Sequence, residues 1–186
     1  LEIPKNLDVI NNSVFSQCSG FYGSLIIHYK IIKIGKNAFN NCFGFNGSLT
    51  ICNPEIEIGG YAFFNCSNFK GSLLVTYNLN IINEFTFYNC SGFAGQLYLS
   101  ESLTHIGRYA FSNCFGFNGS LIIPDNVNEI ANSAFSGCIG INGELVISKY
   151  VKKIGENAFS FINFSKINYN GYSEPECKNS VGFTNN

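Results

Sequence analysis

A phenylalanine returns at a constant 24-residue step along this chain, at Phe15, Phe39, Phe63, Phe87, Phe111, Phe135 and Phe159. Three positions after each of the first six comes a cysteine: Cys18, Cys42, Cys66, Cys90, Cys114 and Cys138. Other columns keep the same step, among them Gly23 to Gly143, Leu25 to Leu145 and Ile10 to Ile154. The step holds over six successive periods without an insertion or deletion. A unit this short cannot bury its own apolar face, so a fixed period in this range means a solenoid whose turns cover one another. The 186 residues therefore read as one elongated body rather than two globular domains.

Within each unit the apolar pattern alternates as in a half-buried strand. The columns headed by Leu25 and Ile27 hold only Leu, Ile or Val, so they face inward. The column between them varies through Ile26, Thr50, Leu74, Tyr98, Ile122 and Val146, and so faces outward. A strand is expected at residues 24–28 and at each 24-residue step, stacked as a parallel sheet. The all-glycine column from Gly23 to Gly143 predicts positive φ or close approach between turns. The column of Gly20, Gly44, Asn68, Gly92, Gly116 and Gly140 replaces Gly only by Asn, which predicts a left-handed turn there. The column Asn11, Gly35, Gly59, Asn83, Gly107, Ala131 and Gly155 predicts the same, with Ala131 as the exception. The spacing of Ala38, Phe39 and Cys42 fits a short helical turn with Phe and Cys inside.

Eight cysteines would ordinarily suggest a disulfide framework, and adjacent turns, ~4.8 Å apart, bring the column within bridging range. Each repeated Cys, however, lies between the core Phe and another apolar residue. The expectation is of buried free thiols packing as small hydrophobes. Cys52 and Cys177 fall outside the column.

With 46% hydrophobic and only 12% charged residues, the chain has matter for a core and too little charge for disorder. A net charge of -1 argues neither for nucleic acid nor for anionic lipid as a partner. No run of ~18 apolar residues occurs, so no membrane insertion is expected within this stretch. The chain opens at Leu1 in mid-unit and without Met, which reads as an excised or processed fragment. Its first rung, with Leu1, Ile3, Leu7 and Ile10, shows no cap, and self-association through it is expected. After Phe159 the pattern fades: Ile162 takes the Cys place, and the run at Ile167 to Gly171 supplies a strand slightly early. Residues 1–159 are read as the repeat array, about seven rungs, and residues 160–186 as a C-terminal cap.

The pattern Ile106-Gly107, Ala110-Phe111 and Cys114, followed by Leu121, Ile123, Pro124, Val127 and Ile130, closely resembles the BspA-like leucine-rich repeat. The Gly116 to Ser120 insertion sets the 24-residue length of the unit, like the variant in surface proteins of host-associated protists. Two departures are Glu55, where Leu7, Ile31, Leu79 or Val127 would stand, and Thr86 in the Ala column. Glu55 beside Ile56 predicts a local slip in the third rung. The resemblance implies a solenoid of leucine-rich repeats: a curved right-handed superhelix with a parallel β-sheet on the concave face and short helical turns or extended segments elsewhere. It further implies a non-enzymatic protein-binding or adhesion module of a cell-surface or extracellular protein. No catalytic residue or cofactor comes with it.

The chemistry offered by side chains is sparse. His28 and Cys52 share an outward column on adjacent turns, the minimum for an activated thiol, yet no third group orients them and two ligands are too few for structural zinc. Asn-x-Ser sequons stand at Asn11, Asn46, Asn65, Asn89, Asn118 and Asn163, compatible with secretion but freely generated by a chain rich in Asn and Ser. The better candidate is the outward strand face. Its middle column, Ile26, Thr50, Leu74, Tyr98, Ile122 and Val146, is nearly all apolar. Beside it run Ser48, Ser72, Gln96 and Ser120, with Glu144 the one charge. The partner expected there is a protein, of a host cell or of the extracellular matrix. A carbohydrate-binding array is the alternative, although only Tyr98 offers an aromatic ring along the groove; a structural self-associating spacer is another.

Overall fold

The computed structural model describes residues 1–75, residues 78–169 and the backbone of Glu176–Cys177. The chain winds as a parallel β-solenoid of about seven coils, numbered here from residues 1–24, 25–48 and so on in equal steps. A regular coil has a first short strand, such as Leu25–Ile27, a second at Lys33–Ile34, and a turn segment over residues 35–46. Of the expected strands, Leu25–Ile27, Leu49–Ile51 and Leu73–Val75 pair in parallel, each residue with its equivalent one period on, whereas residues 97–99 form no strand. The early strand also forms, as Leu145 faces Ile167, short of the regular 24-residue step. Beyond it, Ile154 faces Cys177.

Packing explains why the Phe column is invariant. Successive rings stack 5.2, 5.3, 5.5, 5.3, 5.4 and 5.6 Å apart from Phe15 to Phe159. A second stack, Phe21, Phe45, Phe69, Phe93 and Phe117, runs beside it at 5.0–5.7 Å. Burial of each ring contributes roughly 1.5–3 kcal/mol, and offset stacking adds to that. Thr86 sits buried in the Ala column because its hydroxyl donates to Asn83 O at 2.9 Å.

The short helical turns expected around Ala38–Cys42 take another form, and no helix occurs among the described residues. Alternate amides turn inward and along the axis. The amides of Ala38, Asn40 and Cys42 donate three residues back, while those of Asn37, Phe39 and Asn41 donate to Gly60, Ala62 and Phe64 of the next coil. That alternation requires left-handed residues at every second inter-coil position. They fall at Asn37, Tyr61, Phe85 and Tyr109, and at Asn41, Asn65, Asn89 and Asn113.

The left-handed turns read onto the columns of Gly44 and Gly35 are therefore corrected: positive φ lies in other columns. What Gly44 satisfies is close approach, since a Cβ there would collide with the carbonyl oxygens of Ser19 and Phe21 one coil back. Asn68, the one exception in that column, turns its amide to Phe43 O at 2.7 Å.

Seven described cysteines are free thiols, and Cys42, Cys66, Cys90, Cys114 and Cys138 are buried. Each of these five donates at 3.0 Å to the carbonyl of the core Phe in the preceding coil, as Cys42 does to Phe15 O. Burial pushes the Cys42 thiol up from 9.0 to about 11. Burial raises Cys66, Cys90 and Cys114 as well. The folded chain thus holds protons that the unfolded chain releases. Their stabilisation is complete below the unfolded value of 9.0 and is lost as pH climbs through the folded value, about 11 for Cys42. Each such thiol removes up to ~1.4 kcal/mol per pH unit in that window. The urea midpoint is expected to fall steadily above about pH 9, and a flat profile to about pH 11 would contradict this account.

Coil regularity fails first at the third corner. The expected slip is present: Ile56 is buried where Glu55 would stand, and Glu55 is exposed. Other corners close by a backbone bond three residues back, as Ile31 N to His28 O and Val127 N to Pro124 O. In the third coil the Asn53 side chain takes over, accepting from Glu55 N at 2.9 Å and donating to Ile31 O at 3.0 Å.

The next coil is divided in its allegiance. Among the described residues its first strand, Leu73–Val75, pairs only backward, with Leu49–Ile51. Its second, Ile81–Ile82, pairs only forward, with His105–Ile106. Gly35, Gly59, Gly107, Ala131 and Gly155 donate their backbone N–H to the Ile carbonyl of the preceding coil. At Asn83 the side-chain amide does so instead, reaching Ile58 O at 2.7 Å. On the turn side the coils remain joined, for Phe63 N donates to Thr86 O at 2.9 Å and Asn65 N to Tyr88 O at 2.7 Å.

Candidate functional site

The strand face carries the outward row. Leu25, Leu49, Leu121 and Leu145 point into the core, so period-two geometry sends Ile26, Thr50, Ile122 and Val146 to the outer side. Register places Ile26 beside Thr50, Thr50 beside Leu74, and Ile122 beside Val146. Leu74 and Tyr98 fall on either side of the interruption. Between them opens a groove of ≈ 620 Å³, floored by Ile51, Leu73 and Leu99 and edged by Cys52 and Glu101.

The neighbouring hydroxyl column is partly committed to holding coils together. Ser24 Oγ accepts from Ser48 N at 3.1 Å, and Ser120 Oγ from Glu144 N at 3.0 Å. Gln96 donates to Ser120 O at 3.2 Å. The Glu144 carboxylate accepts from Asn168 at 3.0 Å. Ser48 and Ser72 are half-buried beside them.

His28 Nε2 lies 3.1 Å from Pro4 O, on the side away from Cys52. That contact anchors the imidazole to the coil before. Among the described residues no group of three potential metal ligands comes together. Of the sequons, Asn65 and Asn89 donate their side-chain amides along an Asn41–Asn65–Asn89 ladder at 2.7 and 2.5 Å. Those two amides are engaged in the folded chain, whereas Asn11, Asn46, Asn118 and Asn163 are exposed.

A second aromatic group escaped the sequence reading. On the turn side Tyr61, Phe85 and Tyr109 stack at 4.6 and 4.8 Å, and Phe64 stacks on Tyr88 at 4.9 Å. Lys36 lies 5.5 Å from the Tyr61 centroid and Arg108 5.1 Å from that of Tyr109. Hydrogen bonds from Ser133 and Arg108 lower the Tyr109 pKa. The signal was present in the sequence as aromatics one period apart, in columns filled elsewhere by Ser and Asn. Because the rings cover one another's faces, they offer edges rather than flat platforms.

Two independent kinds of likeness agree with this geometry. The model of the BspA type leucine rich repeat region matches six copies over residues 1–118 and 117–179. The chain belongs to the BspA-type leucine-rich repeat family. It is similar in structure to a leucine rich cell surface protein from Faecalibacterium prausnitzii, at 27% identity and a TM-score of 0.78. That match covers 93% of this chain and 45% of the other. A leucine-rich repeat protein from Bacteroides ovatus matches at 29% identity and a TM-score of 0.68, covering 86% of this chain and 45% of that one. The T. pallidum leucine rich repeat protein shares the fold, with 22% identity, a TM-score of 0.69, and coverage of 86% and 74%. This BspA-type chain thus spans 45% of the length of the first two structures. No curated protein matches the sequence.

Proposed function

We propose that this BspA-type array is a non-enzymatic protein-binding module of a cell-surface or extracellular protein, and that its partner docks on the strand face. One observation carries the reading: Ile26, Leu74, Tyr98 and Ile122, at the same position of four coils, are 58, 51, 71 and 51% exposed. Packing fixes the inward columns, so chemistry that differs from coil to coil can be written only outward. An uncharged apolar row rimmed by Ser48, Ser72, Gln96 and Ser120 suits a protein surface better than a polyanion or a sugar chain. The cell-surface description of the F. prausnitzii relative supports the location. Host-cell and extracellular-matrix proteins are the partner class to test.

The experiment is Tyr98→Ser combined with Leu74→Ser, measured by biolayer interferometry against immobilised matrix proteins and intact host cells. Binding is expected to weaken by at least ~2 kcal/mol, about 30-fold, the scale of a hot spot. The circular dichroism spectrum and urea midpoint should be unchanged, because neither side chain enters the core. Equal binding by the folded double variant would move the site off this face.

A further inference from the structure

The interruption does more than expose Leu74 and Tyr98. It leaves backbone hydrogen-bonding groups without partners. Leu73–Val75 pairs on one side only, and the segment after it, Leu97 to Leu99, joins neither Leu73–Val75 nor Leu121–Ile122 as a strand. Among the described residues no backbone hydrogen bond is formed by the N–H or C=O of Tyr98 or Leu99. In regular coils the equivalent positions are in the ladder: Ile26 faces Thr50, and Ile27 faces Ile51. Peptide groups left unpaired beside an apolar floor present an open sheet edge, and a strand is the ligand that supplies donors and acceptors in the alternation such an edge takes.

We propose that the partner contributes an extended peptide segment which adds as a strand at this interruption, one edge pairing with the backbone of Tyr98, which faces back toward Leu73–Val75. This inference rests on the strand-face reading above. The added strand's alternate side chains enter the groove over Ile51, Leu73 and Leu99, between Leu74 and Tyr98. Among the described residues Glu101 is the one charged residue lining that groove, and Asp125 stands exposed on the following coil. The segment therefore carries a basic residue at the end nearest Glu101, with apolar residues at every second position before it. Main-chain pairing gives the affinity, and the groove with its acidic edge gives the selectivity.

The probe is a fluorescein-labelled hexapeptide library with apolar residues at alternate positions and lysine last, offered to the intact chain. A bound peptide is expected to slow amide exchange at Tyr98 by at least tenfold, read by residue-resolved hydrogen exchange. Of two N-methylated versions of the best peptide, methylated on either alternate set of amides, at least one should bind at least tenfold more weakly than the parent, since pairing with Tyr98 uses one of those sets. Glu101→Gln should weaken the lysine peptide about fivefold and leave its norleucine twin unchanged.

Absence of any binder, undiminished affinity of both methylated versions, or unchanged exchange at Tyr98 would each overturn strand addition. If the Tyr98→Ser and Leu74→Ser pair nevertheless abolishes binding of a whole partner, the strand-face reading survives and only the mode of docking fails.

Discussion

Phe87→Ala is expected to destabilise the array by ~3–5 kcal/mol, with a lowered urea midpoint. The ring is fully buried, 5.5 Å from Phe63 and 5.3 Å from Phe111. Coils held at a fixed separation by backbone bonds such as Phe63 N to Thr86 O and Phe87 N to Ala110 O cannot collapse into the space left behind. The cavity therefore persists, and its contact loss adds to the transfer term. Phe15→Ala makes the contrast, because Phe15 is only partly buried and has one stacking neighbour in its column. Its loss should be at most about half as large. Equal losses at Phe15 and Phe87 would mean that stacking from both sides is not what fixes the column.

Gly92→Ala should be nearly as damaging, by ~3 kcal/mol, although it adds only a methyl group. A Cβ at Gly92 would run into the backbone carbonyls of Ser67 and Phe69, and backbone cannot rotate aside as a side chain does. The coil would have to lift, straining the Phe69–Phe93 stack at 5.0 Å. Gly20 occupies the same column in the first coil and would meet nothing within 4 Å. Gly20→Ala is expected to be neutral, or to stabilise by a few tenths of a kcal/mol through the unfolded chain. Thermal unfolding of the two variants side by side decides the matter. Equal shifts would show that the column answers to backbone conformation and not to the neighbouring coil.

This pair also shows where sequence reading reached its limit. The period exposed the core columns directly, since Phe39, Leu25 and Ile34 repeat because their surroundings repeat. It exposed the outward row by the same logic, through the variation of Ile26, Thr50, Leu74 and Tyr98. Glycine is ambiguous in a way these are not: it answers both to a left-handed backbone and to a close neighbour, and composition alone does not tell which. Gly44 belongs to the second kind. Residues with left-handed backbone were hidden under Asn, Ser, Tyr and Phe, as at Asn41 and Phe85.

Glu55 announced the slip, but nothing announced the place a coil later where Leu73–Val75 and Ile81–Ile82 part company. That division depends on pairing across a whole period, which no local pattern encodes. The Tyr61–Phe85–Tyr109 stack was overlooked for a related reason. Its columns read as polar when averaged over all coils, and only three consecutive coils depart from the average.

The constant register has a genetic corollary. The long-range bonds of the array run between neighbouring coils at or near one period, as do those of Lys33 with Glu57 and Lys153 with Glu129. Duplicating or deleting the coding sequence of one unit among the regular coils would hand every residue at the junction a neighbour of the kind it already has. The array can thus lengthen or shorten by recombination without new packing having to be invented. Residues 73–96 are the exception: among the described residues Leu73–Val75 pairs only with the coil before and Ile81–Ile82 only with the coil after. Copying that unit would duplicate the interruption, and removing it would erase the groove while the rest of the rod closed over the gap.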